Sequence, residues 1–220
     1  MPILLKTSIL AFSALLPVIN PLGSALLFLG MVGKVPRRVF RSLARRVALS
    51  TVLFLLIIEL AGSGLLAFFE ISLPVVQLAG GLVLAAMGWQ LLNGKDEKNT
   101  DADESSAVVN NGEALEPKIF YPLTFPLTAG PGCIAVAITL SAHASRHSPV
   151  DNVLAHFGIA IAIVAIGLAV LFCYAYAPQI TRRVPPKTME GILRVIAFVV
   201  VCIGVQIARN GLEAMLKGVA

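Results

Sequence analysis

Three observations predict an all-α membrane protein of six transmembrane helices, arranged as two inverted three-helix repeats. The first is composition: 57% of the 220 residues are hydrophobic and 13% are charged. That is about half the charge supply of a soluble domain. The mean hydropathy of +0.88 says the same, and a soluble enzyme, a disordered chain and a disulfide scaffold are excluded with it. The second is the presence of six apolar runs, near Thr7–Val32, Val47–Phe69, Leu73–Leu92, Ile119–His143, Val153–Ala177 and Met189–Ala208. Each has the roughly 20 residues that carry a helix across a bilayer core, and none alternates in polarity as a barrel strand does. The third is a weak internal repeat, set out below.

Helix 1 follows Lys6 and runs past Pro17 and Pro21 to Val32 without a small-residue cleavage site, so it is read as a retained span and not a signal peptide. Between helices 1 and 2 lies a basic loop with Lys34, Arg37, Arg38, Arg41, Arg45 and Arg46. Helix 2 carries Glu59 near its centre, and its Ala61-Gly62-Ser63-Gly64 step reads as a close helix contact, as does Gly80-Gly81 in helix 3. Residues 94–117 form the one long hydrophilic stretch, read as an acidic flexible linker. It divides the chain into a first three-helix repeat (1–93) and a second (118–220).

Lys and Arg set the orientation. With the basic loop cytoplasmic, Lys95, Lys98, Lys118, Arg182, Arg183 and Lys187 fall on the same side, and only Lys6, Arg146, Arg209 and Lys217 on the other. Both termini are then periplasmic. The net charge of +5 is explained by this topology, and no nucleic-acid partner is implied.

The repeat is legible in two places. Pro17-Val18-Ile19-Asn20-Pro21-Leu22-Gly23 in helix 1 corresponds to Pro126-Leu127-Thr128-Ala129-Gly130-Pro131-Gly132 in helix 4, with spacing that differs by one residue. Gly88-Trp89-Gln90 followed by Asn93-Gly94 corresponds to Gly204-Val205-Gln206 followed by Asn210-Gly211. A repeat with an odd number of spans inserts upside down, the architecture of many secondary transporters.

Helices 1 and 4 break at Asn20-Pro21 and at Gly130-Pro131-Gly132. Proline removes a helix hydrogen bond and clashes with the preceding turn. Asn20 and Gly130 suit the N-cap, and Pro21 and Pro131 suit the first helical position, so each break starts a new half-helix. Such starts expose N–H groups and a partial positive charge, which favour a carboxylate without a buried Lys or Arg. Gly23, Gly130 and Gly132 allow close approach to the backbone, and Asn20 and Thr128 add acceptors for an ammonium group. The candidate substrate site is therefore Asn20, Pro21, Gly23, Thr128, Gly130, Pro131 and Gly132, and its ligand a small zwitterion.

Glu59 is the candidate coupling residue, by proton exchange or by binding the ammonium; the alternative is a hydrogen-bonded structural Glu. His143, His147 and His156 are irregularly spaced and read as interfacial, and Arg194 as snorkelling. Cys133, Cys173 and Cys202 make neither a disulfide framework nor a metal site. No phosphate loop, nucleophile elbow or zinc helix is present, so neither an enzyme nor a cofactor is expected.

Ile19-Asn20-Pro21-Leu22-Gly23, Gln77-Leu78-Ala79-Gly80-Gly81 and Tyr121-Pro122-Leu123-Thr124-Phe125-Pro126-Leu127-Thr128-Ala129-Gly130-Pro131-Gly132 resemble the MarC family of inner-membrane proteins, which includes the SnatA-type small neutral amino-acid transporters. The resemblance covers nearly the whole chain apart from the linker. It implies six spans in two inverted halves in the bacterial inner membrane and, by analogy with the SnatA branch, transport of glycine, alanine or similar solutes. With the helix breaks this gives the expectation of a secondary transporter working by alternating access around a midplane site. Cys133 departs from the Ala expected after the Gly-Pro-Gly. The competing readings are a channel, a membrane accessory protein without transport, and a drug exporter linked to antibiotic resistance; one Trp and three Tyr give the last little of the aromatic cavity it needs. The coupling ion, H⁺ or Na⁺, and the oligomeric state are left open.

Overall fold

The computed structural model describes residues 2–33, 35–93, 119–144, 148–183 and 185–217. The acidic linker, Lys34, Lys118, Arg146 and His147 lie outside them. Every element among the described residues is helical: α1 (Ile3–Ile19), α2 (Pro21–Val32), α3 (Arg37–Phe68), α4 (Leu73–Asn93), α5 (Ile119–Thr128), α6 (Pro131–Ala144), α7 (Pro149–Arg183) and α8 (Pro186–Lys217). Among those residues four runs are long and apolar enough to cross a membrane, namely Ile3–Val32, Leu73–Gln90, Pro149–Gln179 and Glu190–Lys217. The bent pair α5–α6 adds a fifth.

Two boundaries differ from expectation. The basic stretch is no loop: Arg37, Arg38, Arg41, Arg45 and Arg46 occupy the first turns of α3, which starts directly after Pro36. Arg, Leu and Ala are good helix formers, and nothing after Pro36 interrupts them. α7 is longer than its apolar run, with 35 residues from Pro149 to Arg183.

The core is gathered around α7. Leu15 of α1, Phe28 of α2, Val47 and Leu55 of α3, and Ile159, Ile163, Ile166 and Tyr174 of α7 are all fully buried. α7 packs against α1, α2 and α3, while α4 packs chiefly against α8 and also meets α6.

The α4–α8 pair is held by glycines. A Cβ on Gly81 would lie 2.6 Å from the Gly204 carbonyl oxygen, and one on Gly204 2.7 Å from that of Gly81. Further along, Gly88 faces Ala197 and Val201, and Gly211 faces Pro74 and Leu78. Numbers that rise on one helix fall on the other, so α4 and α8 run antiparallel with their backbones touching. Small residues permit such contact where lipid gives helices no hydrophobic drive to associate.

Candidate functional site

Both apolar runs interrupted by proline break at the expected residues, by different means. Asn20 adopts the left-handed conformation, φ 46° and ψ 67°, which Asn tolerates better than most side chains. Its N–H closes α1 on the Leu16 carbonyl at 3.0 Å. Its carbonyl receives the Ser24 N–H at 2.9 Å, and its side-chain oxygen receives the Gly23 N–H at 3.1 Å. Asn20 thus ends one helix and caps the next, with Pro21 at the position where a missing N–H costs least.

The second break is sharper, and the axis turns by 72° between α5 and α6. The Gly130 carbonyl takes the N–H groups of Cys133 at 2.9 Å and Ile134 at 3.4 Å, so Gly130 holds the capping place. The segment before it is not the regular half-helix expected. Tyr121 and Phe125 are extended (φ −116° and −117°), as residues before proline are driven to be. Widened turns fill the gaps: Thr124 Oγ1 donates to the Ile119 carbonyl at 2.8 Å, and Thr128 Oγ1 donates to that of Leu123 at 2.6 Å.

Tyr174 of α7 joins the two breaks. Its hydroxyl lies 2.7 Å from Thr128 Oγ1, two residues before Gly130. It also interacts with the Ser24 hydroxyl in the first turn of α2. Ser24, Thr128 and Tyr174 are all buried, and the Tyr174 ring stacks on Phe28 of α2 at 4.5 Å. Sequence reasoning missed this residue; the available signal was a phenol inside an apolar span, where Tyr seldom lies without a partner.

Of the expected site residues, Pro21, Gly23, Thr128, Gly130 and Gly132 are buried, Asn20 is half-buried and Pro131 is exposed. The glycines admit protein first. The space a Gly23 side chain would use holds the Asn20 amide, and a Cβ on Gly132 would lie 2.7 Å from Leu84 Cδ1. Around Gly130 the nearest atoms are the Pro126 carbonyl oxygen at 3.3 Å and Met87 Cε at 3.4 Å. Beside α6, a cleft of about 260 Å³ is lined by Ser13, Ala14, Val136, Thr139, Leu140, Ile203 and Ile207.

Glu59 is 1% exposed and bonds through Oε1 to Nδ1 of His156 on α7. Its backbone carbonyl receives the Ser141 hydroxyl at 2.7 Å. Ser141 is about 13 Å along α6 from Gly132, so Glu59 lies apart from both breaks. His156, read from the sequence as interfacial, is the half-buried partner of the buried Glu59; His143 bonds the Thr139 carbonyl of its own helix. Arg194 pairs with the exposed Glu190 one turn away. Cys133, Cys173 and Cys202 are free thiols.

The family model for the MarC family integral membrane protein matches residues 5–216. The chain belongs to the MarC family. The inner membrane protein MarC of Salmonella typhimurium is 32% identical over 97% of both chains, and that of Citrobacter koseri is 31% identical over 97% of both. A membrane protein of Pyrococcus horikoshii is 26% identical over 95% of this chain and 96% of its own length. No solved structure matches with significance. The MarC family match spans both helix breaks, Tyr174 and the Glu59–His156 pair, and the chain is an integral membrane protein.

Proposed function

We propose that this MarC-family protein is a secondary transporter of small neutral amino acids, residing in the bacterial inner membrane and working by alternating access. The observation that carries the reading is the meeting of two capped helix starts, at Asn20–Pro21 and Gly130–Pro131, through the single side chain of Tyr174. Helix N-termini attract a carboxylate, and the Asn20 and Thr128 oxygens suit an ammonium group, so the ligand is a compact zwitterion such as glycine or alanine. Six spans in two inverted repeats are part of the proposal, with both termini periplasmic. Support comes from the antiparallel contact of α4 with α8, the third helix of each repeat. The relatives named inner membrane proteins support the location.

Counterflow of labelled alanine into proteoliposomes preloaded with unlabelled alanine tests the reading. Saturable uptake that falls at least tenfold in Asn20→Leu, with the variant still monodisperse in detergent, is the expected result. Unsaturable flux would make the protein a channel. Flat uptake of alanine, glycine and serine by folded protein would end the transporter reading.

A further inference from the structure

Glu59 and His156 come together from positions 97 apart in sequence, on two helices that pack along the bundle. The carboxylate is 1% exposed and the imidazole 27% exposed. A lone carboxylate at that depth is costly. With one proton between them the two groups have no net charge, whether the proton sits on Oε1 or on the ring. Asn152, one turn before His156 on α7, leaves a buried Oδ1 without a partner among the described residues, and the Ser141 hydroxyl closes on the Glu59 backbone.

We propose that Glu59 and His156 form a proton-binding site in which His156 relays protons between solvent and the buried carboxylate. Nδ1 faces Glu59, which leaves Nε2 across the ring. A proton from water adds to Nε2, the Nδ1 proton passes to Oε1, and the ring returns to neutrality as the carboxylate becomes a carboxylic acid. The reverse transfer releases the proton. Histidine suits this work because its two ring nitrogens take and give protons near neutral pH.

Few other ionisable groups compete on the surrounding elements. On α7 there is Asp151, five residues before His156, and then none until Cys173, Tyr174, Tyr176, Arg182 and Arg183, 17 or more residues after it. On α1 there is the exposed Lys6; on α6 there are Cys133 and His143, the latter bonded to its own helix. α2 has none, α5 has only the exposed Tyr121, and Glu70 at the far end of α3 is exposed. The arginines of α3 begin about 20 Å away, at Arg46. The site therefore lies toward the end of the bundle opposite that basic cluster. His156 and Tyr174 share one continuous helix, so α7 joins the α3–α7 contact to the breaks.

The use of this proton for coupling rests on the transporter reading; proton binding itself does not, and the experiment separates them. In infrared pH-difference spectra of the full-length protein, acidification should raise a protonated-carboxyl band that is absent in Glu59→Gln and shifted in His156→Gln. The same band in Glu59→Gln would overturn the site. In proteoliposomes, an inside-alkaline gradient should drive alanine accumulation by the wild type. Glu59→Gln should keep counterflow within about threefold and lose gradient-driven accumulation at least tenfold. Undiminished accumulation in Glu59→Gln would overturn the coupling role. If the wild type shows no counterflow, the transporter reading fails alone, and the infrared band decides the proton site.

Discussion

Tyr174 gives its hydroxyl proton to Thr128, because Thr128 has already given its own to the Leu123 carbonyl. Ser24 is in the same position at the other break: its proton goes to the Asn20 carbonyl at 2.9 Å. A carbonyl only accepts, so both hydroxyls present lone pairs to the single O–H of Tyr174. The phenol thus stands between the two breaks, hydrogen-bonded to Thr128 of one and interacting with Ser24 of the other.

Tyr174→Phe removes that donor while keeping the ring stacked on Phe28. A buried hydrogen bond contributes about 1 kcal/mol net, so the variant should fold and melt a few degrees lower in detergent. Alanine counterflow should fall severalfold or more, because the two breaks lose their shared tie. A fall in counterflow with little loss of thermal stability distinguishes this role from simple packing. Wild-type counterflow in Tyr174→Phe would exclude it.

Asn20 combines two properties that substitution separates. Its left-handed backbone is one that Gly adopts freely and Ala does not, and its side chain caps α2. Asn20→Gly keeps the backbone and loses the cap, at a few tenths of a kcal/mol. Asn20→Ala loses the cap, at about 1 kcal/mol, and adds about 1–2 kcal/mol for the left-handed backbone. Melting temperatures should therefore run wild type, then Gly, then Ala, with the larger interval between Gly and Ala. Equal melting of the two variants would mean that the conformation at Asn20 is not maintained.

The breaks were legible in the sequence because their chemistry is local. Asn20-Pro21 and Gly130-Pro131 place a capping residue beside a residue that cannot continue a helix, and no knowledge of neighbouring helices is needed. Tyr174, and His156 as the partner of Glu59, were not legible. In helices that are apolar on every side no periodic stripe marks the inward face. Contact between Glu59 and His156, or between Thr128 and Tyr174, is decided by how α7 packs, and sequence spacing holds no record of it. The start of α3 was misplaced for a related reason: a run of arginines resembles a loop by charge, although arginine itself favours a helix. The irregularity of α5 was available in principle, since Tyr121 and Phe125 both precede proline.

Glycine is required at some helix positions and idle at others, and the structure separates the two sets. A Cβ on Gly81 would press on the backbone of α8, and one on Gly204 on that of α4; atoms of Gly30, Gly64 and Gly191 have nothing within 4 Å of such a Cβ. Backbone cannot move aside as a flexible side chain does, so Gly81→Val and Gly204→Val should each cost about 1–3 kcal/mol, the usual range for overpacking. Gly30→Ala and Gly191→Ala should be neutral or gain up to about 1 kcal/mol, because Ala restricts the chain less unfavourably in a helix than Gly. Thermal unfolding of the four variants in detergent checks this. Because Gly81 and Gly204 touch each other across the same antiparallel contact, the double variant Gly81→Val/Gly204→Val should lose less than the sum of the singles: once one valine has pushed α4 from α8, the second meets space already opened. Strict additivity would mean that the two glycines do not face each other.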